Sequence, residues 1–220
     1  MALFFRLPPV YPIVDTGTLE RLGLNPVDAA EALLEGGAGI LQFRHKSFWS
    51  REAFDQAKQI ARLCQEANAF FVVNDRADYA LLLGAGLHLG QEDLHPADAR
   101  AVIGTTPVIG FSTHNTAQME DAKTNPIDYV AFGPIFPTTT KERPSPATGI
   151  DGLRQMRELT ELPLVAIGGI TRSNAADCWK AGADSVAVIA DLFPKPCTKL
   201  TVRERMTEWR ELSRGTILKS

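Results

Sequence analysis

The chain has 220 residues, 45% of them apolar, with a formal net charge of −3. That length suits one large domain or two small ones and buries a substantial core. The slight negative balance argues against broad nucleic-acid binding, which needs a strongly basic face. No run approaches the ~20 apolar residues of a membrane span.

The opening residues, MALFFRLPPV, hold too short an apolar run for a signal peptide and are broken by Pro8 and Pro9. Residues 1–9 read as a short arm. The first strand is expected at VYPIVD (10–15), ending at Asp15 without a glycine-rich turn. NPVDAAEALLEGG follows as a helix, with Asn25 capping, Pro26 in the first turn and a stop at Gly36 and Gly37. GILQF (39–43) is the second strand. It runs into Gln42, Arg44 and Lys46, three polar groups at alternate positions, which extended backbone points to one face. His45 falls on the opposite face and reads as structural. SREAFDQAKQIARLCQEAN is the next helix, with Ser50 as its cap and Phe54, Ala57, Ile60, Ala61 and Cys64 at helical spacing.

Strands are then expected at FFVVN (70–74), GLHL (86–89), PVIGFS (107–112), DYVAFG (128–133), LVAIGG (164–169) and SVAVIA (185–190). They are continuous apolar runs, as in parallel sheets covered on both faces. SNAADCWKAGA and VRERMTEWRELS read as helices, the second closing the chain. Eight strand signals with helices between them predict an α/β fold, a single-domain (β/α)8 TIM barrel over residues 1–220. A doubly wound open sheet is the main competitor; it more usually has five or six strands and a glycine-rich first turn. The stretch GPIFPTTTKERPSPATG (133–149) breaks the rhythm. It is long, rich in Thr and Pro, and carries Lys141 and Arg143, the marks of a functional loop.

In a barrel, function lies at the carboxyl ends of the strands. There the sequence places Gln42, Arg44 and Lys46; Asn74 and Asp75; Gln91 and Asp93; Ser112 with His114 nearby; the Thr/Lys loop; and Gly168-Gly169. Each has a plain structural alternative. Asp75 and Asp93 suit helix caps. The glycine pair suits a tight turn opening a helix, although its amides also suit an anion. His88, inside a strand signal, reads as a packing residue, and His114 has no assigned role. Together, however, cations for phosphate oxygens and carboxylates for Mg2+ describe a diphosphate site. Cys64, Cys178 and Cys197 fit neither a zinc pattern nor a disulfide framework and read as cytoplasmic thiols.

The stretches QFRHK, VNDRADYALLLGAGLHLGQED, GFSTHN, DYVAFGPIFPTTTK and AIGGITRSN resemble the thiamine phosphate synthase (thiamine-phosphate pyrophosphorylase) family, from YPIVD to VAVIADLF. The resemblance implies a transferase that joins hydroxymethylpyrimidine diphosphate to thiazole phosphate on a (β/α)8 barrel with Mg2+. It implies that Gln42, Arg44, Lys46, Asn74, Ser112 and Lys141 hold the pyrimidine diphosphate, with Arg44, Lys46, Lys141 and Ser112 acting in catalysis. Asp75 and Asp93 would hold the metal. Thr138, Thr140, Gly169 and the pair at Ile189 and Ala190 would meet the thiazole phosphate. The family usually has Ser where Ala190 stands, so one hydroxyl is missing. Loop 133–149 would close over the reacting groups. Partners are expected to be these small molecules, with no nucleic acid or membrane; the sequence leaves homo-oligomer assembly open. Two alternatives remain: a thiazole tautomerase of the same superfamily, and a non-catalytic binder of thiamine intermediates.

Overall fold

The computed structural model describes residues 6–138 and 146–217. Its strands are β1 (Val10–Asp15), β2 (Ile40–Arg44), β3 (Phe70–Asn74), β4 (Gly86–Leu89), β5 (Ile109–Thr113), β6 (Tyr129–Phe132), β7 (Leu164–Ile167) and β8 (Ser185–Val188). They close into one parallel barrel in chain order, β8 returning to β1. Closure excludes the open doubly wound sheet.

The helices are α1 (Thr16–Leu22), α2 (Pro26–Glu35), α3 (Arg51–Glu66), α4 (Ala77–Leu83), α5 (Pro96–Ile103), α6 (Thr116–Ala122), α7 (Gly149–Leu159), α8 (Ala175–Lys180) and α9 (Lys199–Ile217). The expected caps form: Asn25 accepts from the Val27 amide at 2.8 Å and Ser50 from the Ala53 amide at 3.2 Å. Helix α1 was not signalled by periodicity. It is seven residues long and starts because the buried Asp15 carboxylate accepts the Thr18 amide at 2.8 Å. None of the helices among the described residues is long and apolar enough to cross a membrane.

Alternate strand residues face two cores. One set packs outward against the helices, as Leu41, Phe43, Val73 and Leu87 do. The other fills the barrel: Tyr11, Ile13, Ile40, Val72, Tyr129, Ala131, Val165 and Ala187, with Leu7 of the arm at the amino end. Inward parity then carries on to the carboxyl ends. It brings Asp15 level with Arg44, and Asn74 level with His88. The hydrophobic pattern that builds the barrel therefore also aims the polar residues at its mouth.

Candidate active site

Arg44 and Lys46 do not stand free. The Arg44 guanidinium pairs with Asp15 at the end of the neighbouring strand. Lys46 Nζ lies 2.5 Å from Asp75 Oδ2. The loop carrying them is braced from behind. His45 hydrogen-bonds Thr16 Oγ1 at 2.8 Å and the Phe48 carbonyl at 3.0 Å, and stacks on Phe43. Trp49 stacks on Tyr79 at 4.5 Å, with the Arg76 guanidinium over the Tyr79 ring at 4.2 Å. His45 is structural, as its parity predicts.

Asp75 follows β3 with a φ of 67°, a left-handed conformation that non-glycine residues rarely adopt. It does not cap α4; Arg76 holds that position, without a side-chain cap. Its carboxyl accepts from Lys46 and lies beside that of Asp93. Burial pushes it up to about 6, helped by Asp93 and opposed by Lys46. Asp93 does not cap α5 either. Its Oδ2 accepts the Gly90 amide at 2.7 Å, and His95 is the cap. Two carboxyls thus lie side by side, with Lys46 as their countercharge among the described residues.

Such a pair is chemically suited to a divalent cation. Mg2+ takes one or two carboxylates and completes its shell with water and substrate oxygens. No group of three or more acidic, His or Cys side chains that could hold a metal occurs among the described residues. The donor set therefore fits a cation held partly by its ligand, rather than an all-protein cage.

Beside this pair, Asn74 is buried, and its Nδ2 has no hydrogen-bond partner among the described residues. A buried amide left without an acceptor costs about 1–3 kcal/mol. An oxygen or ring nitrogen of a ligand would satisfy it.

The interior holds a feature that sequence reading missed. Gln42 Nε2 donates to Tyr11 Oη at 3.2 Å. Tyr11 Oη meets Tyr129 Oη at 2.9 Å, Tyr129 Oη meets His88 Nδ1 at 2.9 Å, and His88 Nε2 meets Ser112 Oγ at 2.9 Å. His88 is a core residue as read, but it belongs to this chain rather than to apolar packing. Tyr11 and Tyr129 fall on the inward parity of β1 and β6, the only signal that could have marked them. Asp15 was visible as a carboxylate in the Arg44 layer.

Across the mouth, Gly168 and Gly169 have φ of 99° and 65°. A Cβ on Gly168 would lie 2.5 Å from Pro134 Cα, and one on Gly169 would lie 2.5 Å from the Pro137 carbonyl oxygen. Only glycine lets segment 134–137 lie this close. The pair does not open a helix, as its sequence suggested: α8 begins at Ala175, because a turn intervenes in which Asn174 binds the Thr171 amide and the Gly169 carbonyl. His114, unassigned from sequence, donates from Nδ1 to the Gly133 carbonyl at 2.5 Å and so ties down the start of the loop after β6. Thr138 is partly buried in that loop; Thr140, Lys141 and Arg143 lie outside the described residues. Strand β8 ends at Val188, shorter than expected. Ile189 turns the chain, and Ala190, exposed, opens a 3-10 turn.

A closed parallel barrel with cations, carboxylates and, among the described residues, an unpartnered amide at its carboxyl mouth has the layout of a barrel enzyme acting on an anionic ligand. Residues 10–192 match the family model for thiamine monophosphate synthase. A thiamine-phosphate synthase from Koribacter versatilis is 43% identical over 218 residues, covering 96% of this chain and 99% of that protein. One from Chloroflexus aurantiacus is 41% identical over 182 residues, covering 82% and 83%. The solved structure of a thiamine phosphate pyrophosphorylase from Pyrococcus furiosus superposes with a TM-score of 0.82 at 33% identity, covering 94% of this chain and 96% of that one. The chain belongs to the thiamine monophosphate synthase family.

Proposed function

We propose that the chain is a thiamine phosphate synthase, a transferase condensing 4-amino-2-methyl-5-hydroxymethylpyrimidine diphosphate with thiazole phosphate to give thiamine phosphate and diphosphate. The observation that carries this reading is the convergence of Arg44, Lys46, Asp75 and Asp93 on one rim. It is an apparatus for a diphosphate and a cation, more than a thiazole phosphate alone requires.

Arg44, held in place by Asp15, and Lys46 bind the diphosphate oxygens. Asp75 and Asp93 would hold Mg2+, which would neutralise part of the charge on the diphosphate. Lys46 Nζ, paired with Asp75 in the ligand-free chain, would be free to meet a diphosphate oxygen if a cation took that carboxylate. Gln42, Asn74 and Ser112 orient the pyrimidine. The C–O bond to the diphosphate breaks first. The pyrimidine methylene cation that remains is stabilised by the ring and its amino group until the thiazole nitrogen attacks and forms the C–N bond. Fixed cations aimed at the leaving group lower the barrier to the first step. Exclusion of water protects the cation in the second, a role given by family likeness to loop 133–149 and Lys141. The thiazole phosphate meets Thr138, Gly169 and the Ile189-Ala190 turn, a role that family likeness also gives to Thr140. The setting is the cytoplasm, in keeping with free Cys64, Cys178 and Cys197.

Asp93→Ala tests the reading. It should keep the fold and lose most turnover, the more so at limiting Mg2+. Full activity at limiting Mg2+ would sink the assignment.

A further inference from the structure

Strands β7 and β8 are tied together by an arginine and an aspartate at each end. At the amino end Arg157 Nη1 donates to Asp184 Oδ2 at 3.0 Å, and that oxygen also accepts the Leu164 amide at 2.8 Å. This tie lies away from the barrel mouth. At the carboxyl end Arg172 Nε donates to Asp191 Oδ2 at 3.0 Å, and Arg172 Nη1 pairs with Glu208. Arg172 belongs to the turn after Gly168-Gly169, in which Asn174 Nδ2 donates to the Gly169 carbonyl at 3.1 Å. Asp191 directly follows Ala190 in the 3-10 turn after β8. The two strands pair as far as Ile167 and Ala187. The turns that follow therefore leave the sheet as neighbours, and the second tie joins them.

Helix α9 anchors that tie from behind. Trp209 is fully buried, and its Nε1 donates to Asp191 Oδ2 at 2.9 Å. Arg205 Nη1 donates to the Asp191 carbonyl at 2.7 Å, and Arg205 Nε to Glu208 Oε2 at 3.1 Å. Side chain and carbonyl of Asp191 are thus both held, which fixes the backbone beside Ala190. The loops after strands seven and eight recurrently form the phosphate site of (β/α)8 barrels. The amino-end tie holds the strands; the carboxyl-end tie also sets the shape of such a site.

We infer that Arg172 and Asp191 are positioning residues that hold the two turns of the thiazole phosphate site at a fixed separation, with Trp209 and Arg205 of α9 as their anchor. The identity of the ligand rests here on the transferase reading. None of these side chains needs to touch the phosphate; they act through the backbone of Gly169 and Ala190. Geometry rather than charge is the operative property. The Arg172 fork reaches two carboxylates at once, which a lysine ammonium on a flexible stem does not reproduce.

Thiazole phosphate, titrated calorimetrically into the full chain with Mg2+ and diphosphate present, tests this in wild type, Arg172→Ala, Arg172→Lys and Arg157→Ala, with steady-state turnover measured alongside. Asp191 keeps its bonds to Trp209 and Arg205 without Arg172, so the Arg172 variants should fold. Arg172→Ala should bind thiazole phosphate about tenfold more weakly, since small misplacements at a site are costly, with KM for the pyrimidine diphosphate unchanged. Arg172→Lys should remain several-fold weaker than wild type. Arg157→Ala should lower the melting temperature and leave thiazole phosphate affinity as it was. Wild-type affinity in Arg172→Ala would overturn the inference. So would full recovery in Arg172→Lys, which would make charge the cause, or an equal loss in Arg157→Ala, which would show a general loosening of the barrel. Should Arg172→Ala not fold, Asp191→Asn, which keeps an oxygen for Trp209, takes its place with the same expectation. If wild type binds thiazole phosphate with this dependence on Arg172 yet turns nothing over, the transferase reading fails and the positioning role stands. No binding by wild type would overturn both.

Discussion

Asp75 shows most directly how function is set at the level of one residue. Its backbone is left-handed, and its carboxyl is buried beside a second one. Backbone strain of this kind costs about 1–3 kcal/mol and persists where the surroundings impose it, often at functional sites. In the folded chain Asp75 titrates at about 6, against an ordinary 3.8. The folded state thus binds its proton more tightly than the unfolded chain, so stability declines as pH rises from about 4 to about 6. Asp75→Asn keeps the shape, and Asn tolerates the left-handed region. It should leave the ligand-free protein more stable by ~1–3 kcal/mol at pH 7 and hardly changed at pH 4. Thermal melts at the two values check this. The same substitution should abolish most turnover if, as proposed, Asp75 is a cation ligand. A variant less stable than wild type at pH 7 would show that Asp75 is a structural partner of Lys46 alone. Ala190 makes the converse case. The family resemblance leads one to expect a serine hydroxyl there, while a backbone N–H is present in either residue. A hydrogen bond to a charged group contributes roughly 1.5–3 kcal/mol, and water can replace part of it. The chain should therefore be active. Ala190→Ser should lower KM for thiazole phosphate several-fold and leave that for the pyrimidine diphosphate unchanged.

At the scale of elements, the strands were legible because covered parallel strands are short apolar runs. The readings at 10–15, 70–74 and 86–89 coincide with β1, β3 and β4. Those at β7 and β8 ran two residues long, through Gly168-Gly169 and Ile189-Ala190, where apolar or small residues continue after pairing has stopped. Helix α1 escaped because a side-chain cap from Asp15, rather than a periodic apolar stripe, starts it. The rim residues could be placed by parity along each strand. Their pairings could not: Arg44 with Asp15 and Lys46 with Asp75 each span 29 positions and arise only when β1, β2 and β3 lie side by side. The β7 turn supports a further expectation. Gly168→Ala places a Cβ against Pro134 at a φ of 99°. It should cost roughly 1–3 kcal/mol of stability, read by chemical denaturation. Through segment 134–138 it should also raise KM for thiazole phosphate. A variant as stable as wild type would show that this close approach is not imposed.

At the scale of the whole molecule, one alternation does two things. Inward positions build an apolar plug at the amino end from Leu7, Tyr11, Ile40 and Ala187. They then become progressively polar through Gln42, His88, Asn74 and Ser112 toward the carboxyl mouth. The barrel was legible as a whole because eight such strands with intervening helices admit few other folds. The interior chain was not, since its members lie up to 118 positions apart and look like ordinary core tyrosines. The central claim is that this mouth transfers a pyrimidine from diphosphate to thiazole. It is tested most directly by incubating purified protein with pyrimidine diphosphate, thiazole phosphate and Mg2+, and following both products. The account predicts thiamine phosphate and diphosphate in equal amounts, with neither formed when either substrate or Mg2+ is withheld. Isomerised thiazole phosphate without diphosphate release, or binding of both substrates without turnover, would contradict it.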